Sequence, residues 1–242
     1  MNKALLTRAR ELTARYGNLE GADLLRPLAG TEFKDKLALV SSFGTESAVL
    51  LHMVAQADPG LPVLFVNTRK LFGETLRYRR MLVERLGLTG VRELSPAAEA
   101  ETAHDPDGIL WRRDATACCD FRKVRVLDAG LAPFSAWITG RKRYQATTRI
   151  ELPLFEAGSD GRIKINPLAN YTRADVEAYL DRHDLPRHPL EEDGYLSIGC
   201  MPCTDRVAPG EDIRAGRWRG QDKTECGIHL PLPSSTNLVG AS

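Results

Sequence analysis

The stretch LALVSSFGTESAVLLHMVAQADPGLPVLFVNT, residues 37–68, decides the fold. It begins with a short apolar run (37–41), passes through a small polar loop into an amphipathic segment (45–57), and returns to a second apolar run (62–68). Near-continuous apolar strands joined by a helix mark a parallel sheet covered on both faces, because each crossover lays a helix across the sheet. The alternation continues outward. Residues 74–87 predict a helix, 91–94 a third strand, 135–139 and 162–168 two more strands, and 172–185 a helix with Thr172 as N-cap and Asp175 three residues on. Residues 4–16 predict an accessory helix with Leu5, Leu6, Ala9 and Leu12 on one stripe. Residues 95–117 read as loose, and 118–131 as a helix beginning at a cysteine pair, with Val124, Leu127 and Leu131 on one face. The fold class is α/β, a twisted, mostly parallel sheet flanked by helices.

Composition narrows the function. The 242 residues are 43% apolar and 27% charged, as in ordinary soluble domains, which excludes disordered, collagen-like and membrane-embedded chains. Lys and Arg number 33 against 32 Asp and Glu, a net charge of +1 that gives no general attraction to nucleic acid or acidic membranes. Any anion binding must be local. Residues 1–16 lack an apolar core segment, and no apolar run reaches the ~18 residues of a membrane helix, so a cytoplasmic, reducing location is expected. There, clustered cysteines serve more often as metal ligands or catalytic thiols than as disulfides.

Four groups of residues carry chemistry. In the loop after the first strand, Ser41, Ser42, Phe43, Gly44, Thr45, Glu46 and Ser47 lead directly into a helix, so backbone N–H groups and hydroxyls suit a phosphate or sulfate. The same residue types also make an ordinary turn in which Thr45 or Ser47 caps the helix. Cys118 and Cys119, with Cys200 and Cys203 of a Cys-x-x-Cys motif, match the four-thiolate demand of structural zinc or an iron–sulfur cluster. The fifth cysteine, Cys226, lies in a polar segment near Lys223 and His229 and reads as a reactive thiol, a further ligand or an idle surface residue. A basic group follows: Lys123, Arg141, Lys142, Arg143, Arg149, Arg214, Arg217 and Arg219, able to grip a doubly anionic substrate or simply to form a solvated surface.

Together these residues resemble the assimilatory adenylyl-sulfate/phosphoadenylyl-sulfate reductase family. The resemblance runs from about residue 36 to 230 through SSFGTES (41–47), NTRKLFGET (67–75), CC (118–119), WITGRKRYQATTR (137–149), CMPC (200–203), RAGRW (214–218) and ECGIH (225–229). It implies an adenine-nucleotide α-hydrolase-like (PP-loop) fold, with a helical segment 1–35, a reductase domain 36–230 and a C-terminal tail 231–242. It also implies a 4Fe-4S cluster on Cys118, Cys119, Cys200 and Cys203, the pattern of the branch that uses adenosine 5'-phosphosulfate (APS), and Cys226 as nucleophile. Substrate contacts would come from residues 41–47, Asn67, Thr68, Arg69, Lys123, Gly140, Arg141, Arg149, Arg214, Arg217 and His229. Two positions depart from the family pattern: the loop reads SFGTES, and Asn67 stands where many members have Asp.

The resemblance further implies attack of Cys226 on the substrate sulfur, release of AMP, and release of sulfite by an external thioredoxin or glutaredoxin-like reductant, a step of sulfate assimilation and cysteine biosynthesis. Four cysteines committed to a cluster leave no resolving thiol in the chain. The competing expectations are a reductase of the 3'-phosphorylated nucleotide (PAPS), an ATP-dependent PP-loop tRNA thiolase, and a zinc module for protein contacts. A homo-oligomer is common for such folds.

Overall fold

The computed structural model describes residues 2–221, 223, 225, 227 and 228. Its centre is a six-stranded sheet of β1 (Leu37–Val40), β2 (Val63–Val66), β3 (Val91–Leu94), β4 (Ala136–Ile138), β5 (Phe155–Ala157) and β6 (Ile163–Ile165), in the order β3-β2-β1-β4-β6-β5. All neighbours are parallel except β5, which returns antiparallel on β6. The direction of strand addition reverses between β1 and β4, and in open α/β sheets ligands bind outside the carboxyl ends of the strands at such a switch.

Strand alternation sorts side chains onto two faces. Leu37, Leu39, Val63, Phe65, Ile138, Ile163 and Ile165 belong to the main core, packed with residues of α1 (Lys3–Tyr16), α2 (Gly21–Pro27), α3 (Ser47–Ala57), α4 (Gly73–Leu86) and a later helix, Arg173–Arg182. Ala38, Leu64 and Trp137 form the second core. Leu39, Phe65 and Ile138 are almost wholly removed from water, so truncating any of them to alanine costs roughly 2–5 kcal/mol. The N-terminal helix is no appendage: Ala9 and Leu12 are buried in the main core.

The segment that reads as loose contains α5 (Ala98–His104) and α6 (Leu110–Arg113). The helix expected from residue 118 begins one turn earlier. Asp114 accepts hydrogen bonds from the Thr116 and Ala117 N–H groups at 2.9 and 2.8 Å and so caps α7 (Ala115–Cys119), which places the cysteine pair at the end of a capped turn. A π turn (Asp120–Val124) follows, then α8 (Arg125–Leu131), whose Leu127 and Leu131 cover the second face of the sheet. The Arg173–Arg182 helix, α9, has the expected capping box, with Asp175 N–H donating to Thr172 Oγ1 and Thr172 N–H to Asp175 Oδ2.

Candidate functional site

A cavity of about 270 Å³ opens at the switch point, lined by the C-terminal ends of β1 and β4 and by the loops that follow them. Ser41, Ser42, Gly44, Thr45, Glu46 and Ser47 line it, as do Lys123, Gly140, Arg141, Arg149, Arg214 and Arg217. The hydroxyl-capped turn is not what forms: the N-cap of α3 is Glu46, with no side-chain cap hydrogen bond, and Ser41 Oγ instead accepts from the Phe43 N–H at 3.2 Å. The start of an eleven-residue helix thus faces the cavity without a side-chain cap, where its dipole favours an anion.

Four expected contacts sit elsewhere. Phe43 is fully buried, its ring edge-on to Phe65 at 5.4 Å. Asn67 donates to Glu93 at 2.8 Å, and Arg69 is ion-paired with Glu101. Thr68 is buried, its hydroxyl 3.1 Å from Cys200 Sγ, so it serves the cysteines and not the strand-end cavity. Phe43 and Arg69 have positive φ, 50° and 57°, an uncommon backbone state that recurs at Trp218 with 49°. These three turns follow β1, follow β2 and flank the cysteines, while Asp35 and Asp184 take the same backbone state away from both cavities.

Charge pairing was not legible in sequence. Lys142 is almost fully buried and donates to Glu46 at 2.7 Å, and Gln145 Nε2 reaches the same oxygen at 2.7 Å while Tyr144 donates to the other. Burial alone would raise the Glu46 carboxyl, but Lys142, Tyr144 and Gln145 outweigh it and hold the group below its ordinary value. Glu46 therefore braces the α3 loop against the loop after β4. Arg141 is held by Glu156 at 2.6 Å and by Asn166 at 3.2 Å. Arg149 and Arg214 both reach Glu225, at 2.6 and 3.2 Å.

A second, smaller cavity adjoins the first. Cys118, Cys119, Cys200 and Cys203 line it with Lys70, Trp111, Ala115, Arg122, Lys123, Pro202 and Trp218, and all four cysteines are buried. Two distant segments meet here because Leu71 bridges Cys200 in an antiparallel pair and the Met201 N–H donates to Lys70 O at 2.7 Å. Burial first, and then the neighbouring Cys119 and Cys200, push the Cys118 thiol up to about 12. Cys200 goes the other way: burial would raise it, but Lys123, Thr68 and Arg217 bring it below its ordinary value. Gly199 keeps this arrangement possible, since a Cβ there would lie 2.3 Å from the Arg217 guanidinium, which stacks 4.3 Å above the Trp218 ring.

Among the described residues no group of three or more His, Cys, Asp or Glu is drawn together closely enough to hold a single metal ion. Four buried cysteines line the one small cavity, with Lys123 and Arg217 acting on Cys200, a set of soft thiolate donors whose chemistry fits a sulfur-ligated metal centre. Lys123 and Trp218 line both cavities. Cys226 and His229 lie outside the described residues. Their neighbours Glu225 and Ile228 line the strand-end cavity, and neither was singled out from the sequence.

Fold and site together define an α/β protein of nucleotide-binding type, with a cation-lined strand-end cavity that borders four cysteines. The phosphoadenosine phosphosulfate reductase domain matches residues 36–206, and the chain belongs to that family. It is 52% identical to the adenosine 5'-phosphosulfate reductase of Chelativorans sp. (strain BNC1), an alignment covering 96% of this chain and 95% of the relative. It is likewise 52% identical to the enzyme of that name from Mesorhizobium japonicum, over 92% and 87% of the two chains. A crystal structure of the phosphoadenylyl-sulfate (PAPS) reductase from Candida auris, in complex with phosphate, superposes with a TM-score of 0.70 at 26% identity, covering 86% of this chain and 98% of that one. The architecture is the PP-loop-like, adenine-nucleotide α-hydrolase type.

Proposed function

We propose that the chain is an adenosine 5'-phosphosulfate reductase, forming sulfite and AMP with electrons from an external dithiol of the thioredoxin or glutaredoxin type. The observation that carries this reading is the shared wall: Lys123 and Trp218 face both the strand-end anion cavity and the four-cysteine cavity. The relatives' names supply the reaction class. Among the described residues no helix is long and apolar enough to cross a membrane, and buried free thiols suit a reducing, cytoplasmic compartment.

The nucleotide phosphate lies at the uncapped start of α3, and the sulfonate faces Lys123, Arg149, Arg214 and Arg217. These cations offset charge that builds on the phosphate as it leaves, the kind of term that usually dominates such catalysis. The Cys226 thiolate attacks the sulfur; an S–S bond forms, the S–O bond to phosphate breaks, and AMP departs with that electron pair. The external thiolate then attacks Cys226 Sγ and expels sulfite, leaving a mixed disulfide that the partner's second thiol resolves. The two electrons that reduce the sulfonate come from the partner dithiol. Cys118, Cys119, Cys200 and Cys203 would hold a 4Fe-4S cluster, which when bound supplies structural cross-linking and a fixed charge distribution beside Lys123.

The test is Cys226→Ser in anaerobically purified protein. Iron, sulfide and the brown chromophore should persist while sulfite release stops; loss of the chromophore would make Cys226 a ligand and end the assignment. Turnover of APS against PAPS with the wild-type protein decides between the two nucleotides.

A further inference from the structure

Six cationic side chains line the strand-end cavity, and the carboxylates that meet them are not equivalent. Glu46 is saturated by Lys142, Tyr144 and Gln145, while Arg141 is satisfied by Glu156 from outside the cavity lining. Glu225 differs from both: it places one oxygen on Arg149 and the other on Arg214, at 2.6 and 3.2 Å, with Arg149 buried and the other two only partly exposed. Two guanidinium groups bridged by two oxygens of one anion is also how a sulfonate or phosphate would be gripped. A carboxylate brings one negative charge to these two guanidinium groups, whereas a sulfate or phosphate dianion brings two. The stronger Coulombic attraction of the dianion favours its exchange for the carboxylate.

We infer that the Glu225 carboxylate is a resident anion, holding Arg149 and Arg214 until a substrate oxyanion takes its place, so that Glu225 sets the affinity of the site for its substrate. The inference rests on the proposal that this cavity receives the phosphosulfate group. The chain near Glu225 has a second attachment of different chemistry. Ile228 packs against the second core, which holds Ala38, Leu64, Leu127 and Trp137, and Gly227 takes a φ of 89°, where a side chain would be strained and would approach Val124. An incoming anion competes with the ionic contact alone; the apolar one has no affinity for it.

A site whose arginines are engaged by an internal carboxylate binds external anions more weakly by the fraction of time it is open, so ninety per cent occupancy by Glu225 lowers affinity about ten-fold. The experiment is calorimetric titration of inorganic sulfate into the full-length wild type, Glu225→Gln, Glu225→Ala and Glu211→Gln, the last removing a carboxylate that pairs with Arg219 outside the cavity. Both Glu225 variants should bind sulfate about ten-fold more tightly, and Glu211→Gln should stay within two-fold of wild type. Equal or weaker binding by the Glu225 variants would make the residue a structural brace and overturn the inference. A gain by Glu211→Gln equal to theirs would assign the effect to net charge and overturn it as well. Sulfate binding is read without turnover, so a ten-fold gain in a protein that does not reduce APS would remove the assigned reaction and leave the resident anion standing.

Discussion

The strand-end cavity and the cysteine cavity share Lys123 and Trp218, yet they are assembled by opposite means. The first is the usual crevice of a doubly wound sheet, placed by the reversal between β1 and β4 and braced by the protein's own ion pairs, Lys142 with Glu46 and Arg141 with Glu156. The second owes little to regular structure: a capped turn, an isolated bridge at Leu71 and Cys200, and a short turn at Met201–Cys203 bring four thiols together. One cavity is complete as folded. The other gathers thiols whose pKa values are pushed apart, Cys118 raised and Cys200 lowered, and under the proposed function a bound metal centre would supply its cross-links.

This contrast can be broken or sharpened by experiment, beginning with its largest expected effect. Cys200→Ala removes the thiol at which Lys123, Thr68 and Arg217 together outweigh burial and favour the thiolate, so iron, sulfide and visible absorbance should fall to background. If the two cavities are built independently, AMP affinity by calorimetry should stay within about three-fold of wild type. A parallel loss of AMP binding would show that they form one cooperative unit.

Glu46→Ala attacks the other cavity by leaving the buried Lys142 ammonium without its carboxylate, which should cost roughly 3–5 kcal/mol in urea unfolding. Iron binding per folded molecule should be unchanged. A cost near zero would mean that Lys142 finds water or loses its proton without penalty.

The smallest effect is a pH dependence. His188 is buried behind the strand-end cavity, its Nδ1 accepting from the Leu190 N–H at 3.2 Å and its Nε2 lying 3.1 Å from the Thr75 hydroxyl, and burial lowers its pKa to about 4. Nε2 therefore carries the proton and donates to Thr75. An imidazole depressed in the folded state stabilises fully above its unfolded value near 6.5 and loses that contribution as pH falls towards 4. At pH 5 the loss should be about 2 kcal/mol, and His188→Gln should abolish that part of the slope in urea unfolding. A slope unaltered in the variant would assign the acid sensitivity to other groups.

How much of this was legible in sequence follows the same division. Apolar runs of four or five residues alternating with amphipathic segments expose the parallel strands, because strands buried on both faces leave no other pattern. The antiparallel β5 escaped: Phe155–Ala157 is a three-residue edge strand with no period to read. The cysteines were legible by residue type alone, since thiols seldom cluster without a chemical use. Pairing between distant side chains was not. Nothing in the local sequence shows that Lys142 will meet Glu46, or that Asn67 and Arg69 will turn away to Glu93 and Glu101, because those partners are chosen by the packing of separate elements.

The π turn at Asp120–Val124 acts as a phase shifter in the helical run between the cysteine pair and the sheet. A helix advances about 100° per residue, and a π turn inserts one residue without adding a turn. The run before it must present Cys118 and Cys119 to the cysteine cavity, and the run after it must present Leu127 and Leu131 to Ala38, Leu64 and Trp137. An uninterrupted α-helix with one residue fewer would misalign one of these faces by more than a quarter of a revolution. The extra residue lets a single rod mesh with two partners set at different angles, and it tucks Arg122 beneath the thiols as it does so.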